Sequence, residues 1–194
     1  MLTLLGVQTT EDDDVHRALE LEQLLLRVGG GDREAFARLY SLTRSAVYAL
    51  ALSVLRNSHE AQDAAQDVFV KVWESAPGYR PQGSPMAWML TIARNLALSR
   101  LRQSGRQVSL NEEEWNAIPA QAPGVSPEDR QVLQEALSRL SGEERQIVLL
   151  HAVAGLKHRE TAQLMELPLS TVLSKYHRGL KKLKSLMKGE NRND

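Results

Sequence analysis

Residues 156–184 read LKHRETAQLMELPLSTVLSKYHRGLKKLK, and this stretch decides the fold. A short helical pattern, His158 to Met165, meets a three-residue turn, Glu166-Leu167-Pro168. A second, basic helical pattern follows from Ser170 to about Lys184. At about 100° per residue, Val172, Tyr176, Leu180 and Leu183 fall on one stripe, which has to pack on the first helix. Ser170, Ser174, His177, Arg178 and Lys181 fall on the opposite side, with short hydrogen-bonding side chains first and cations later. Such a pair is a helix-turn-helix, whose second helix lies in a DNA major groove and reads base edges while Arg and Lys grip phosphate. Ala162 is the small residue where the helices cross, and Leu167 plugs the turn. From Gly155 to Lys188 there are eight Lys/Arg against two acids, Glu160 and Glu166. The competing reading is an amphipathic helical hairpin with a solvated basic face. Glu166 favours it slightly, because such turns prefer glycine and its positive φ.

Working outward, the chain of 194 residues has room for one large or two small domains, and its 42% apolar residues suffice for a packed core. The 25% charged residues suit a soluble protein, and the scarce aromatics (5%) with clustered Gly and Pro suit a helical one. The absence of cysteine excludes disulfides and thiolate chemistry and fits a reducing cytoplasm. The start, MLTLLGVQTTEDDD, lacks a basic leader region, and the apolar run Ser45 to Leu55 is too short to span a bilayer, so no membrane insertion is expected. The formal net charge is zero, but the charge is segregated: Glu11 to Asp14 and Glu112 to Glu114 are acidic, Arg94 to Arg106 and the last quarter basic. No phosphate-cradling glycine loop, metal-spaced histidine pair or nucleophile–base motif occurs, so no catalytic residue, metal or cofactor is expected. The acids Asp63 and Asp67, four apart on a helix face, are commonplace.

Punctuation divides the chain into an acidic tail (1–14), a first helical block (15–103), a linker (104–125), a second block (126–188) and a short tail (189–194). In the first block a helix from Val15 stops at Gly29-Gly30-Gly31. Asp32 caps a long helix ending near Asn57, Ser58 caps a third to about Ser75, and Ser84-Pro85 opens a fourth to about Gln103. The linker, read as mostly extended, offers Trp115 and Ile118 as anchors. Ser126 opens the second block, and the capping box beginning at Ser141 starts the helix before the helix-turn-helix. The expected fold is all-α: a four-helix domain and a helix-turn-helix domain joined by an extended linker.

Two helices of the first block carry more than packing. In the third, Ala61, Ala64, Ala65, Val68, Val72 and Trp73 form the core stripe, and Asp63, Gln66, Asp67, Val70 and Glu74 share the opposite face. That face is either merely solvated or, given the apolar Val70 among the acids, a docking surface for a basic partner protein. In the fourth, Met86, Leu90, Ala93, Ala97 and Leu101 form the buried side, while Trp88, Ile92, Asn95, Ser99 and Arg102 line the other. Trp88 to Arg106 contains no acid. An exposed aromatic beside Asn and Arg suits unstacked single-stranded bases; the alternative is that Trp88 caps the core edge.

From about Asp32 to Met187, the chain resembles bacterial RNA polymerase sigma factors of the extracytoplasmic-function type. Gly31-Asp32-Arg33-Glu34-Ala35-Phe36 with Leu39-Tyr40 is similar to the start of that family's first domain. Asp63-Ala64-Ala65-Gln66-Asp67-Val68-Phe69-Val70-Lys71-Val72-Trp73 resembles its polymerase-docking segment. Trp88 with Ile92-Ala93-Arg94-Asn95-Leu96-Ala97 resembles its minus-ten reader, and Leu169 to Arg178 its minus-thirty-five reader. The resemblance implies core-polymerase binding by Asp63, Gln66, Asp67 and Val70. It implies minus-ten contacts from Tyr79, Trp88, Arg94, Asn95, Ser99 and Arg102. The minus-thirty-five set is Arg159, Ser170, Thr171, Ser174, Lys175, His177, Arg178 and Lys181. Departures bear on promoter preference: Ser99 stands where the family usually has Asp, Ser170 and Glu166 where it has glycines, Thr161 for an aliphatic residue and Leu173 for a basic one.

The resulting expectation is a cytoplasmic transcription initiation factor whose partners are core RNA polymerase, promoter DNA and an anti-sigma factor. It would open promoter strands with binding energy and without covalent chemistry. The Ala76 to Pro85 loop would capture a flipped base, and Glu112 to Glu114 would mimic nucleic acid near the polymerase channel. The rival is a stand-alone helix-turn-helix regulator, which leaves the two faces of the first block without a task.

Overall fold

The computed structural model describes residues 11–104, 137 and 139–189, with side chains at 15–104, 137 and 139–185. The helices are α1 (Glu11–Gly29), α2 (Arg33–Leu55), α3 (Ser58–Ser75), α4 (Pro85–Gln103), α5 (Gly142–Ala152), α6 (His158–Met165) and α7 (Leu169–Gly189), with a 3-10 turn at Ala76–Gly78 between α3 and α4. No strand occurs among the described residues. The expected linker beyond Ser104, with Trp115, Ile118 and the acids Glu112 to Glu114, lies outside them, as does the helix start at Ser126.

Local chemistry explains most of the boundaries. Helix α1 begins at Glu11 rather than Val15, so the acidic run belongs to its first turn, where the helix dipole favours negative charge. Asp32 caps α2, accepting from the N–H groups of Glu34 (2.9 Å) and Ala35 (3.0 Å). These N–H donors, that of Ala35 foremost, and the adjacent Arg27 guanidinium hold its carboxyl below the usual aspartate range. At the other end Arg56 leaves α2 in the left-handed region, with φ 55°. The cap of α3 is therefore Asn57, whose side chain accepts from the Glu60 N–H at 3.0 Å. Ser58, the expected cap, is the first helical residue instead. Ser84 caps α4 with Pro85 following it, and Ser141 and Glu144 form the capping box of α5. Helix α7 runs past Lys184 to Gly189.

The core is built around α2. Ala35, Leu39, Val47 and Leu50 are buried against α1, α3 and α4, which bring Leu21, Leu25, Val68, Phe69, Val72, Met89, Leu90 and Ala93. Leu52, Leu55, Ala61, Ala64, Ala97 and Leu101 close the far end. Each large aliphatic side chain fully withdrawn from water contributes about 1.5–3 kcal/mol. Phe69 was not in the expected stripe; it faces inward and meets Tyr40 and Phe36 edge-on, at ring separations of 4.6 and 6.4 Å. Gly29 lets α1 end against the 3-10 turn, since a Cβ there would stand 2.7 Å from the Ala76 carbonyl oxygen.

The second block is not separate. Leu150, Ala154, Leu156 and Leu164 join the same apolar cluster as α1, α2 and α4, and α5 lies directly on α2, where the Gln146 side-chain amide donates to the Ser53 carbonyl at 3.2 Å. The block's own core is smaller: Leu137, Leu140, Val148 and Leu183 on one side, Ile147, Ala162 and Val172 on the other.

The capping geometry separates two adjacent residues. Asn57→Ala is expected to cost about 1 kcal/mol, read as a lower urea midpoint at unchanged slope, and Ser58→Ala a few tenths at most.

Candidate nucleic-acid interface

The helix-turn-helix forms as the sequence indicates, but its support comes from α5 as much as from α6. Val172, fully buried, packs with Ala162 of α6 and Ile147 of α5. Leu183, expected on the first helix of the pair, instead packs with Leu137, Leu140 and Val148. Gly179 permits this approach, because a Cβ there would meet Val148 at 3.1 Å. Leu167 plugs the turn as expected. Glu166 adopts φ 56°, ψ 39°, so the turn takes its left-handed form without glycine, at about 1–2 kcal/mol for a residue with a Cβ.

The outward face of α7 presents Ser170, Ser174, His177, Arg178 and Lys181, all exposed, with Thr171 half-buried beside them and Arg159 exposed on α6. Lys175 differs from expectation. It is bound to Glu143 of α5 at 2.7 Å, which commits its charge to the fold. Lys182, on the inner flank, bonds the buried Glu144 at 2.7 Å, and Arg178 lies 3.9 Å from the same carboxylate. Burial opposes ionisation of Glu144, but the Lys182 ammonium and the Ser141 capping bonds outweigh it and leave the carboxyl below its ordinary value.

A ring cluster that no sequence period announces fixes α7 over α5 and α6. His151 stacks on His158 at 4.5 Å, and Tyr176 meets both, at 4.9 and 4.6 Å. His151 Nδ1 bonds the Leu156 carbonyl at 2.8 Å, whereas His158 Nδ1 is buried without a partner. Burial, then the neighbouring His151 and His177, hold the His158 pKa below its ordinary value.

The first block carries two further exposed faces. On α3, Asp63, Gln66, Asp67 and Glu74 are exposed, as is Val70 at 59%, with the half-exposed ring of Tyr40 against Phe69 next to it. Asp67 pairs with Arg100 of α4. On α4, Asn95 and Arg102 are exposed and Ser99 is half-buried. Thr91, one helical turn before Asn95, shares that outer face and was missed, although the helical period predicts it. Trp88 is half-buried, packed edge-on against Tyr79 at 5.1 Å. Tyr79 itself was expected to touch DNA and is 4% exposed, its hydroxyl buried without a partner. The 3-10 turn folds this ring under Trp88, so it supports that side chain and does not face solvent. Arg94 likewise turns toward Glu166 at 3.5 Å, with 23% of its side chain exposed. Among the described residues no group of three metal-ligating side chains converges, and no helix is long and apolar enough to cross a membrane.

Comparison with known proteins agrees with this layout. The family model for sigma-70 region 2 matches residues 39–107, and that for sigma-70 region 4 matches residues 130–183. The chain is 32% identical over 176 residues to the ECF RNA polymerase sigma factor SigK of Mycobacterium sp. strain KMS, covering 87% of this chain and 91% of that one. It is equally identical, over 176 residues, to SigK of Mycolicibacterium vanbaalenii, covering 87% and 89%. Among solved structures, the sigma factor RpoE of Bartonella quintana, in complex with the anti-sigma factor NepR, aligns with a TM-score of 0.60 at 26% identity over 79% of this chain and 96% of that one. CnrH, in complex with the cytosolic domain of CnrY, aligns with the same TM-score at 22% identity over 88% and 98%, a likeness of fold.

The ring cluster makes stability depend on pH. The unfolded chain protonates His158 near its ordinary value of 6.5, and the folded chain resists until lower pH. Unfolding therefore takes up protons in that window, and stability falls as pH drops through it. The thermal midpoint is expected to fall between about pH 7.5 and about pH 5.5, and His158→Gln to flatten that fall, both read by circular dichroism.

Proposed function

The chain belongs to the extracytoplasmic-function sigma factors, subunits that direct core RNA polymerase to promoters and initiate transcription there, and we propose how its own residues divide that work. The observation that carries the proposal is the outward face of α7, where Ser170, Ser174, His177, Arg178 and Lys181 stand exposed while the opposite stripe is locked into α5 and α6. A helix so held presents early hydroxyls to base edges and later cations to phosphate. We assign it, with Arg159 and Thr171, to the minus-thirty-five element. Lys175 acts indirectly, by fixing α7 to α5 through Glu143.

The exposed side of α4 is assigned to the minus-ten element. Asn95, Ser99, Arg102 and Thr91 contact the strand, with Trp88 at its edge as a stacking platform backed by Tyr79. The face of α3 made by Asp63, Gln66, Asp67 and Val70 is assigned to core polymerase; a solvated apolar Val70 ringed by acids suits a basic surface with an apolar contact at its centre. Strand opening then draws on binding alone. Unstacking costs a few kcal/mol per base, and stacking and cationic contacts return about 1–3 kcal/mol per base. No step calls for a catalytic residue or cofactor. An anti-sigma protein is the expected regulator, as for the RpoE–NepR pair, and the cytoplasm is the compartment that a cysteine-free chain fits.

Three substitutions at exposed sites separate the roles. Val70→Asp is expected to weaken core binding at least about tenfold, some 1.4 kcal/mol, with unchanged circular dichroism. Arg178→Ala should cost about 1–3 kcal/mol in promoter affinity and leave opening intact once the complex has formed. Asn95→Ala should leave initial binding near normal and depress permanganate reactivity of promoter thymines. The reverse pattern for the last two would exchange the assignments of α7 and α4.

A further inference from the structure

Three cations of α7 turn back toward the first turn of α5, and they are not held alike. Lys175 closes on Glu143 at 2.7 Å with 25% of its side chain exposed, and Lys182 closes on Glu144 at 2.7 Å. Both contacts have the length of a charge-assisted hydrogen bond, and each commits the cation it holds. Arg178 stands 3.9 Å from Glu144 through its Nε, with 60% of its side chain exposed. That separation suits an ion pair and is too long for a hydrogen bond. The carboxylate therefore attracts the guanidinium and occupies none of its donors.

The two oxygens of Glu144 divide the work. Oε2 accepts from the Ser141 backbone N–H at 3.1 Å and from the Lys182 ammonium at 2.7 Å, whereas Oε1 faces Arg178. Glu144 is 2% exposed, so the start of α5 fixes where its charge sits. Gly179, next to Arg178, lets the two helices approach: a Cβ there would lie 3.8 Å from that of Glu144. Burial opposes ionisation of Glu144, but Lys182 and Ser141 hold its carboxyl below the ordinary value, and it is charged at neutral pH. Arg178 itself lies between Ser174 and Lys181 on the outward stripe.

We propose that Glu144 is a positioning residue for promoter specificity. Its buried carboxylate draws the Nε side of Arg178 toward α5 and so presents the two Nη groups to a guanine of the minus-thirty-five element. This rests on the reading of α7 as the helix that enters that element. Guanine offers O6 and N7 to a fork of two donors, and only a fork that meets both excludes the other bases. An arginine loose in solvent gives up rotamer freedom to reach that geometry. One already turned by a fixed charge gives up less, so more of the contact energy appears as discrimination. Lysine at this position could not be aimed in the same way, because it has no fork and no Nε.

The test uses holoenzyme assembled from core polymerase and the full chain. Its probe is the duplex that wild-type holoenzyme selects from a pool randomised across the minus-thirty-five element, each guanine then replaced in turn by 7-deazaguanine. Arg178→Ala should lower the preference for guanine over its replacement at one position, by at least about fivefold. Glu144→Gln should lose most of the same preference at that position alone, and should change it no further in the Arg178→Ala background. A carboxylate that merely supports the fold would instead weaken binding to every duplex alike and add to Arg178→Ala. Because Glu144→Gln leaves Lys182 without its anion, Glu144→Gln with Lys182→Met is the second variant. It removes both charges together and should show the same loss, with the fold checked by circular dichroism. A preference kept by either folded Glu144 variant, or a loss spread evenly over all duplexes, overturns the proposal. So does an Arg178→Ala protein that relaxes no guanine, since Arg178 then grips phosphate only. Wild-type holoenzyme that selects no sequence at the element overturns the reading of α7 as well, and is told apart because no variant is needed to see it.

Discussion

A helix with no solvent face has to be surrounded, and α2 is nearly that helix along its second half. Ala46, Val47, Leu50, Ala51, Leu52, Ser53 and Leu55 are all buried, and they point in every direction around the axis. Helices α1, α3 and α4 cover three sides, and α5, from the other half of the chain, covers the fourth. Polar groups inside this packing are satisfied locally, Thr43 and Ser53 donating to the carbonyls of Leu39 and Leu50 at 2.7 Å. The Ser53 carbonyl is met from outside by Gln146. Burial of α2 is therefore completed by the very unit that has to read DNA.

Within that unit a second constraint operates at Glu144. A carboxylate 2% exposed is costly to bury unless its charge is answered. Here the Ser141 backbone N–H and hydroxyl answer it from the capping box, Lys182 from α7, and Arg178 more distantly. One group thus starts α5 and sets the rotation of α7 about its axis. With Lys175 held by Glu143, the inner cations are neutralised and the outer ones, Lys181 above all, face solvent. The zero net charge of the chain conceals this sorting by side.

What the sequence reveals follows from the range of the interactions concerned. Helix periods and caps are local, so α2, α4, the box at Ser141 and the helix-turn-helix are legible to within a few residues. Where two good caps adjoin, as at Asn57 and Ser58, the choice depends on how Arg56 leaves α2, which propensity does not encode. Tyr79 illustrates the same limit at the site: an aromatic in a loop among basic residues reads as a nucleic-acid contact, and only the folding of the 3-10 turn puts it beneath Trp88. Phe69 reverses the error, lying just off the predicted stripe yet buried by the rings of Phe36 and Tyr40. The contact of α5 with α2 and the pairing of Lys175 were invisible because they join residues far apart in sequence through shapes that exist only after folding.

The pair between Asp67 and Arg100 has a bearing on how the two faces of the first block relate. It joins an acid on the surface assigned to polymerase to a cation on the helix assigned to DNA, so one carboxylate and one guanidinium belong to both. Whatever engages Asp67 competes with Arg100, and whatever engages Arg100 competes with Asp67, by the same factor in each direction. The Asp67 side chain is 55% exposed and that of Arg100 30%, so water screens the pair and the coupling is small, about 1 kcal/mol or less, or up to about fivefold in affinity. Its sign is nonetheless set by geometry: occupation of one face releases a charged group on the other, and the two binding events reinforce each other without any movement of the backbone.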